Sequence, residues 1–522
     1  MSPSKKLSRR EILQTSVVGA AGIGLGATLS NKAKVVPAPA HAITQQLPPP
    51  TPLNDPKWAC TVTTESSAWQ KAILYKPAFS FETLNLNITK PALDAATKSP
   101  TMEGFGACFN ELGWTSLSAL SEADRDAVMS ELFDPQAGAR FTYCRMPIGA
   151  NDYAREAYSH DETDGDFSMQ HFSIAHDKDT LVPFIQAAKK HQPALKLWAS
   201  PWSPPTWMKR NHFYAEAKAI PGFNKENGIK PEQIGHEGED MFIQEPRYFE
   251  AYALYFQKFI EAYRAEGIQV GMVMPQNEFN SAQNFPSCTW TPGGLAWFIS
   301  YLGPAMQKTG VDVFFGTLER GNVKLLETTM RDTKAAKFVK GVGVQWAGKN
   351  ALADIEREYP KLPIFASEQE CGFGTNTWAY TEYCWQLMKE YFRRGARAYM
   401  YWNLATAKGG LSTWGWPQNS LVSVDTDAKT YSWNHDYYLL KHLTHFVNVG
   451  ARRVATSGTC DDALAFLNPD NSNVVALIHN PRATDMTVQV TVEDMTASVD
   501  LPAGSFATVT MRLSACANGC FE

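Results

Sequence analysis

The chain has 522 residues, with 48 lysines and arginines against 53 aspartates and glutamates, a formal net charge of −5. That even, slightly acidic balance excludes the basic patch of a nucleic-acid binder. With 44% hydrophobic and 19% charged residues, it also excludes a chain disordered throughout. The length allows two or three domains of roughly 100–200 residues and a core that needs no disulfide staples.

Residues 5–13 read Lys-Lys-Leu-Ser-Arg-Arg-Glu-Ile-Leu and precede a Gly- and Ala-rich apolar run to about Leu29. Pro37-Ala38-Pro39-Ala40-His41-Ala42 then supplies a small-residue cleavage site, so residues 1–42 are expected to be an export signal. Arg9-Arg10 after Ser8 is the pair of a twin-arginine signal, although Ile12 and Gln14 stand where Phe and Lys are usual. The apolar run is short for a membrane span, and the expectation is an exported, periplasmic or extracellular protein. Gly22-Ile-Gly24-Leu-Gly26 follows no strand, so it carries no dinucleotide. Residues 43–57, rich in Pro and Gln, read as a linker.

Short apolar runs over 58–98 predict strands. From 99 to 447, strand-like runs alternate with helical segments, the signature of a parallel α/β fold. Eight strands are predicted: Glu103–Phe109, Arg140–Ile148, Leu195–Ser200, Val270–Pro275, Val311–Gly316, Val339–Gln345, Leu362–Ser367 and Arg397–Trp402. Between them, Arg247–Glu266 carries Tyr252, Phe256, Phe259 and Tyr263 at helical spacing before Gly267. Each strand breaks into polar or aromatic residues at its end: Asn110-Glu111, Asn151-Asp152, Trp202, Asn277-Glu278, Glu319-Arg320, Gln345-Trp346, Glu368 and Trp402-Asn403. Eight such endings fit a (β/α)8 TIM barrel, whose strand C-termini converge on one face, better than an open sheet. Residues 448–522 change to short alternating runs, read as a side β-sandwich completed by the strands of 58–98. The nine cysteines show no CxxC or zinc-finger spacing, so no structural metal is expected. Export permits disulfides, and Cys516 with Cys520 is one candidate loop closure.

Two carboxylates stand out. Met274-Pro275-Gln276-Asn277-Glu278 closes the fourth strand and Phe365-Ala366-Ser367-Glu368 the seventh, so Glu278 and Glu368 both face the barrel mouth. Glycosidic hydrolysis needs two carboxyls flanking the bond, one donating a proton and the other attacking or activating water. Tryptophan-rich strand endings suit stacking on sugar faces. Glu370 lies two residues after Glu368, on the same side of an extended strand, so residue spacing alone leaves either as the nucleophile.

These residues resemble glycoside hydrolase family 30, in its glucosylceramidase-like branch. The likeness rests on Asn277-Glu278, Ala366-Ser367-Glu368, Gly104-Phe-Gly-Ala107, Arg145-Met-Pro-Ile148 with Asp152, Ala199-Ser-Pro-Trp-Ser203 through Trp207-Met-Lys209, Asp166-Phe167 through Ile174, Asp179-Thr-Leu181 and Trp402-Asn403-Leu404. It implies a barrel with a β-sandwich built from both chain ends. It also implies a retaining double displacement, with Glu278 as acid/base, Glu368 as nucleophile, and no cofactor or metal. Asn277 would bond the sugar 2-OH, Asp152 and Trp202 would hold its outer hydroxyls, and Trp402 would pack against the ring. Asn419 would make a further glucose contact, with Trp416 at the rim. Three departures fall on the aglycone side: Glu370 and Glu319, and Gln345-Trp346-Ala347 in place of His-Trp-Tyr, which removes a tyrosine contact to the nucleophile. The resemblance implies β-glucosides or β-glucans as substrates, glucolipids among them. β-1,6-glucanase and β-xylosidase are alternatives within the family, and a non-catalytic sugar-binding barrel lies outside it.

Overall fold

The computed structural model describes residues 50–77, 82–91 and 101–513. The expected leader, the first part of the linker, residues 92–98, Cys516 and Cys520 lie outside them. Eight parallel strands close into a barrel: β1 Gly104–Cys108, β2 Tyr143–Ile148, β3 Lys196–Pro201, β4 Met272–Val273, β5 Asp312–Leu318, β6 Val339–Gln345, β7 Ile364–Glu368 and β8 Ala396–Ala407, with β8 returning to β1. Every predicted strand is present. The fourth shrinks to two residues, because the chain turns into the site straight after Met274. The eighth runs on past Trp402 to pair in parallel with Ser420–Asp425.

Strand alternation sorts the side chains. Cys144, Met146 and Ile148 join the core beneath the helices. Tyr143, Trp198, Met272, Met274, Phe314, Phe365, Ala398 and Met400 plug the barrel interior. Strand β6 gives this plug no side chain, since a Cβ on Gly343 would lie 2.3 Å from Met274 Sδ. The helix Pro246–Ala265 buries Tyr252, Phe256, Phe259 and Tyr263, the predicted aromatic face.

The sandwich uses both ends of the chain. Trp58–Thr64 pairs along its whole length with Ser505–Arg512, and Glu82–Pro91 lies beside Met486–Val492. One of its two layers is apolar on both faces. Ala463, Ala465, Val474, Ala476 and Ile478 fill the sandwich core, while Leu464, Phe466, Val475, Leu477 and Phe506 enter the barrel core. Between the two bodies, buried His442 of the helix His435–Thr444 sits 2.9 Å from the hydroxyls of both Thr63 and Thr508. No disulfide joins the described cysteines, and among the described residues no helix is long and apolar enough to cross a membrane.

Candidate active site

Glu368 ends β7 at the barrel mouth, and three N–H donors meet it. Arg145 Nη1 reaches Oε2 at 2.6 Å, Gln345 Nε2 the same oxygen at 3.2 Å, and Trp346 Nε1 reaches Oε1 at 3.0 Å. Arg145 is fully buried on the inward face of β2. Its Nη2 donates to Asn277 Oδ1 at 2.7 Å and Ser200 Oγ at 2.9 Å. Its guanidinium lies 4.3 Å from the Trp202 ring centroid and 5.5 Å from that of Trp402. The two rings are themselves 5.4 Å apart. Burial and the charge of Glu278 lift the Glu368 carboxyl above the usual carboxylate range, against the pull of Arg145 and Trp346.

Glu278 stands in the turn after β4. Its backbone N–H donates to Thr317 Oγ1 at 2.8 Å, and its Oε2 accepts from Gln283 Nε2 at 3.1 Å. The amide of Gln345 lies between the two carboxylates, 3.4 Å from Glu278 Oε1 and 3.2 Å from Glu368 Oε2. Glu278 has φ 47° and Trp346 φ 48°. Two bulky residues are thus held in the left-handed region at a cost of about 1–3 kcal/mol each.

The remaining expected site residues divide into two sides. On one, Gln418 Nε2 donates to Asp152 Oδ2 at 3.4 Å, and Asn403 Nδ2 to Asn419 O at 3.1 Å and Gln418 Oε1 at 3.4 Å. Trp416 Nε1 donates to Asn284 Oδ1 at 2.8 Å. Trp402 Nε1 and Asn419 Nδ2 are buried donors that no acceptor among the described residues meets. On the other side, Glu319 lies beside Glu278. Its Oε1 accepts from Asn280 N and Ser281 Oγ, and burial pushes its carboxyl up to about 7.

Glu370 parts from Glu368, because β7 ends at Glu368 and the alternation stops there. Its carboxyl pairs with Lys349 Nζ at 2.5 Å and Tyr383 OH at 2.8 Å. Ala347 offers Glu368 no hydroxyl, and from this segment the donors to it are those of Gln345 and Trp346. Arg145, Gln345 and Ser367 were quoted in motifs but not singled out for the site. The signal was available: a charged residue inside an apolar parallel strand, buried on both faces, requires a partner.

A closed barrel with paired, desolvated carboxylates and tryptophan walls at its C-terminal mouth is the arrangement of a glycoside hydrolase. The glycosyl hydrolase family 30 TIM-barrel domain matches residues 102–447, and the glycosyl hydrolase family 30 beta sandwich domain matches 450–509. The chain belongs to glycoside hydrolase family 30 and is a glycosidase of that family. It is 28% identical to the lysosomal acid glucosylceramidase of Mus musculus over 77% of this chain and 79% of that one. It is 25% identical to an endo-1,6-beta-D-glucanase of Neurospora crassa, over 75% and 81% of the two chains. The crystal structure of SrfJ from Salmonella typhimurium shares the fold, with a TM-score of 0.74 and 20% identity over 88% of this chain and all of that one.

Proposed function

We propose that this protein is an exported, retaining β-glucosidase that removes terminal glucosyl units by double displacement. The observation that carries the retaining reading is the shared amide of Gln345. Its distances to Glu278 Oε1 and Glu368 Oε2 keep these oxygens no farther apart than the sum of 3.4 and 3.2 Å. That ceiling sits at the bottom of the roughly 6.5–9.5 Å span of inverting pairs. Glu368, ringed by N–H donors, attacks the anomeric carbon while Glu278 protonates the departing oxygen. A covalent glucosyl ester forms on Glu368. Glu278, now ionised, takes a proton from water, which attacks the same carbon and frees Glu368.

The donors of Trp402 Nε1 and Asn419 Nδ2 suit the outer hydroxyls of glucose, with Asp152, Trp202 and Asn277 completing the pocket. Release of single terminal units fits the segment Lys408–Pro417 beyond that side. Tyr153 OH donates to Gly410 O at 2.5 Å, Thr413 Oγ1 to Ala154 O at 2.5 Å, Lys225 N to Trp414 O at 3.1 Å, and Trp416 is tied to Asn284. These ties hold the segment in place beside the glucose side, which supports a pocket that takes one terminal unit.

An endo-β-1,6-glucanase is the second reading. It is favoured by the Neurospora relative and by the charged pair Lys349–Glu370 beside Trp346, which suits a polar aglycone better than a lipid tail. The test is a panel of nitrophenyl β-glycosides, gentiobiose, β-1,6-glucan and glucosylceramide, with products sized and the anomer followed by NMR. Glucose released first as the β-anomer supports the proposal. Oligosaccharides from β-1,6-glucan select the second reading, and an α-anomer overturns retention. The export proposal is tested separately: with Arg9 and Arg10 both changed to Lys, active enzyme should remain in the cytoplasm.

A further inference from the structure

Gln345 is fully buried at the end of β6, and its Nε2 faces more acceptors than it has hydrogens. That nitrogen lies 3.2 Å from Asn277 Oδ1, 3.4 Å from Glu278 Oε1 and 3.2 Å from Glu368 Oε2. Two N–H bonds cannot serve three acceptors at once. The other end of the amide is fixed: Ser367 Oγ donates to Gln345 Oε1 at 3.0 Å, which keeps the nitrogen turned toward the carboxylates. Asn277 Oδ1 is already supplied by Arg145 Nη2 at 2.7 Å and Thr317 Oγ1 at 3.3 Å. The Gln345 hydrogens are therefore free to divide between the two glutamates.

We propose that Gln345 is a positioning residue whose amide follows the negative charge as it crosses from Glu368 to Glu278 during the reaction. This rests on the double-displacement reading above. Before reaction, the charge is on Glu368 and the amide donates there. When the glucosyl ester forms, Glu368 loses its charge to the new C–O bond. Glu278 gives its proton to the leaving oxygen and becomes the carboxylate, and the same nitrogen, without leaving its place, donates to Glu278 Oε1. Water then returns a proton to Glu278 as the ester breaks, and the charge-assisted bond is again the one to Glu368. An amide suits this place because it neither accepts nor releases a proton at working pH. It can stabilise either carboxylate in a dry site without carrying the Glu278 proton across to Glu368. Arg145 of β2 stays on Glu368 throughout, and Glu319, just past the end of β5, lies beside Glu278 with its carboxyl pushed up to about 7 by burial. Gln345 is thus a neutral donor that reaches both glutamates.

The test compares wild type with Gln345→Met, near in shape but without the donor, and Ser367→Ala, which releases the amide's fixed end. The substrates are a nitrophenyl glucoside and a dinitrophenyl glucoside. Loss of one preorganised donor to a developing charge lowers kcat by about 10²-fold, and KM should change little. Removing a donor to the ionised Glu368 should move the acid limb of kcat/KM up by about one pH unit. Ser367→Ala should move the limb in the same direction by less. The dinitrophenyl glucoside, whose first step needs little acid help, should still show the loss, because the water step also passes through Glu278. A Gln345→Met enzyme with the wild-type acid limb, whether its activity is lowered or not, overturns the inference. So does a loss confined to KM. If Gln345→Met does not fold, Ser367→Ala decides by the same limb. A wild type that hydrolyses neither glucoside defeats the glucosidase reading instead, a result distinct from either.

Discussion

Arg145 Nη1 stands 2.6 Å from Glu368 Oε2, with both side chains buried and the cation covered by Trp202 and Trp402. A charge taken out of water on an inward strand face is tolerable only with its partner in place. Arg145→Met should therefore destabilise the fold by about 3–5 kcal/mol. Arg145→Met combined with Glu368→Gln should cost less than the two single changes added together, because the double variant leaves no unpaired charge. Chemical denaturation of the four proteins measures this directly. Additive costs would mean that the pair is not coupled.

The two carboxylates should fail in different ways. Glu368→Ala should abolish turnover, with azide restoring product of inverted configuration. Glu278→Ala should lose about 10²–10⁴-fold on unactivated glucosides, yet still form the glucosyl ester from a dinitrophenyl glucoside. Added azide should then release a product of retained configuration. Mass spectrometry after trapping with a 2-deoxy-2-fluoro glucoside should place the label on Glu368. A label on Glu370 would transfer the nucleophile's role to a side chain that the structure ties to Lys349 and Tyr383.

Specificity should follow the hydroxyl-binding side. A pocket built to bond a hydroxyl rejects a substrate lacking it far more strongly than a merely apolar pocket would. The wild type should prefer aryl glucosides to aryl xylosides, and Asp152→Ala should lose most activity with its thermal unfolding unchanged. Equal turnover of the two sugars in the wild type would point to the xylosidase alternative.

Stability should depend on pH through His442. Burial pushes its ring down to about 3, while the unfolded ring titrates near 6.5. Between those values the unfolded chain binds the extra proton, so this term is fully present above about pH 6.5. It is lost as pH falls toward 3, at roughly 1.4 kcal/mol per unit. His442→Gln keeps one amide donor and one acceptor for Thr63 and Thr508 but does not titrate. Its unfolding free energy should fall less steeply than the wild type's over that range. Parallel curves would remove His442 from the account.

The barrel was legible because its signal is repeated: eight apolar runs, each ending in a residue with a job at the mouth. The sandwich showed as a change of period after 447. Glu278 and Glu368 stood out because a lone carboxylate after an apolar strand has few structural reasons to be there. What the sequence hid were contacts between strands. Arg145 and Glu368 are far apart in the chain, and nothing local says that one lies beneath the other. Gln345 shows no charge to draw the eye, and its part emerges only when three side chains from two other strand ends converge on its one nitrogen. Glu370 misled for a simpler reason: alternation holds only while the strand does, and this one stops at Glu368.

Trp58 lies opposite Met511 in a strand pair that runs the full length of Trp58–Thr64, and the layer holding that pair is apolar on its barrel side as well. Apart from the two-residue strand Gln70–Lys71, Trp58–Thr64 thus has no mate until the strand Ser505–Arg512 has been made, and the barrel residues that this layer covers stay bare until then. A barrel cut off near residue 447 would uncover Trp378, Trp385 and Phe392, which pack on Phe506 and Phe466, and be prone to aggregate rather than to work as a smaller enzyme. Assembly of the described residues is therefore closed by the strand Ser505–Arg512, and neither the sandwich nor the covered side of the barrel is complete before it has been made.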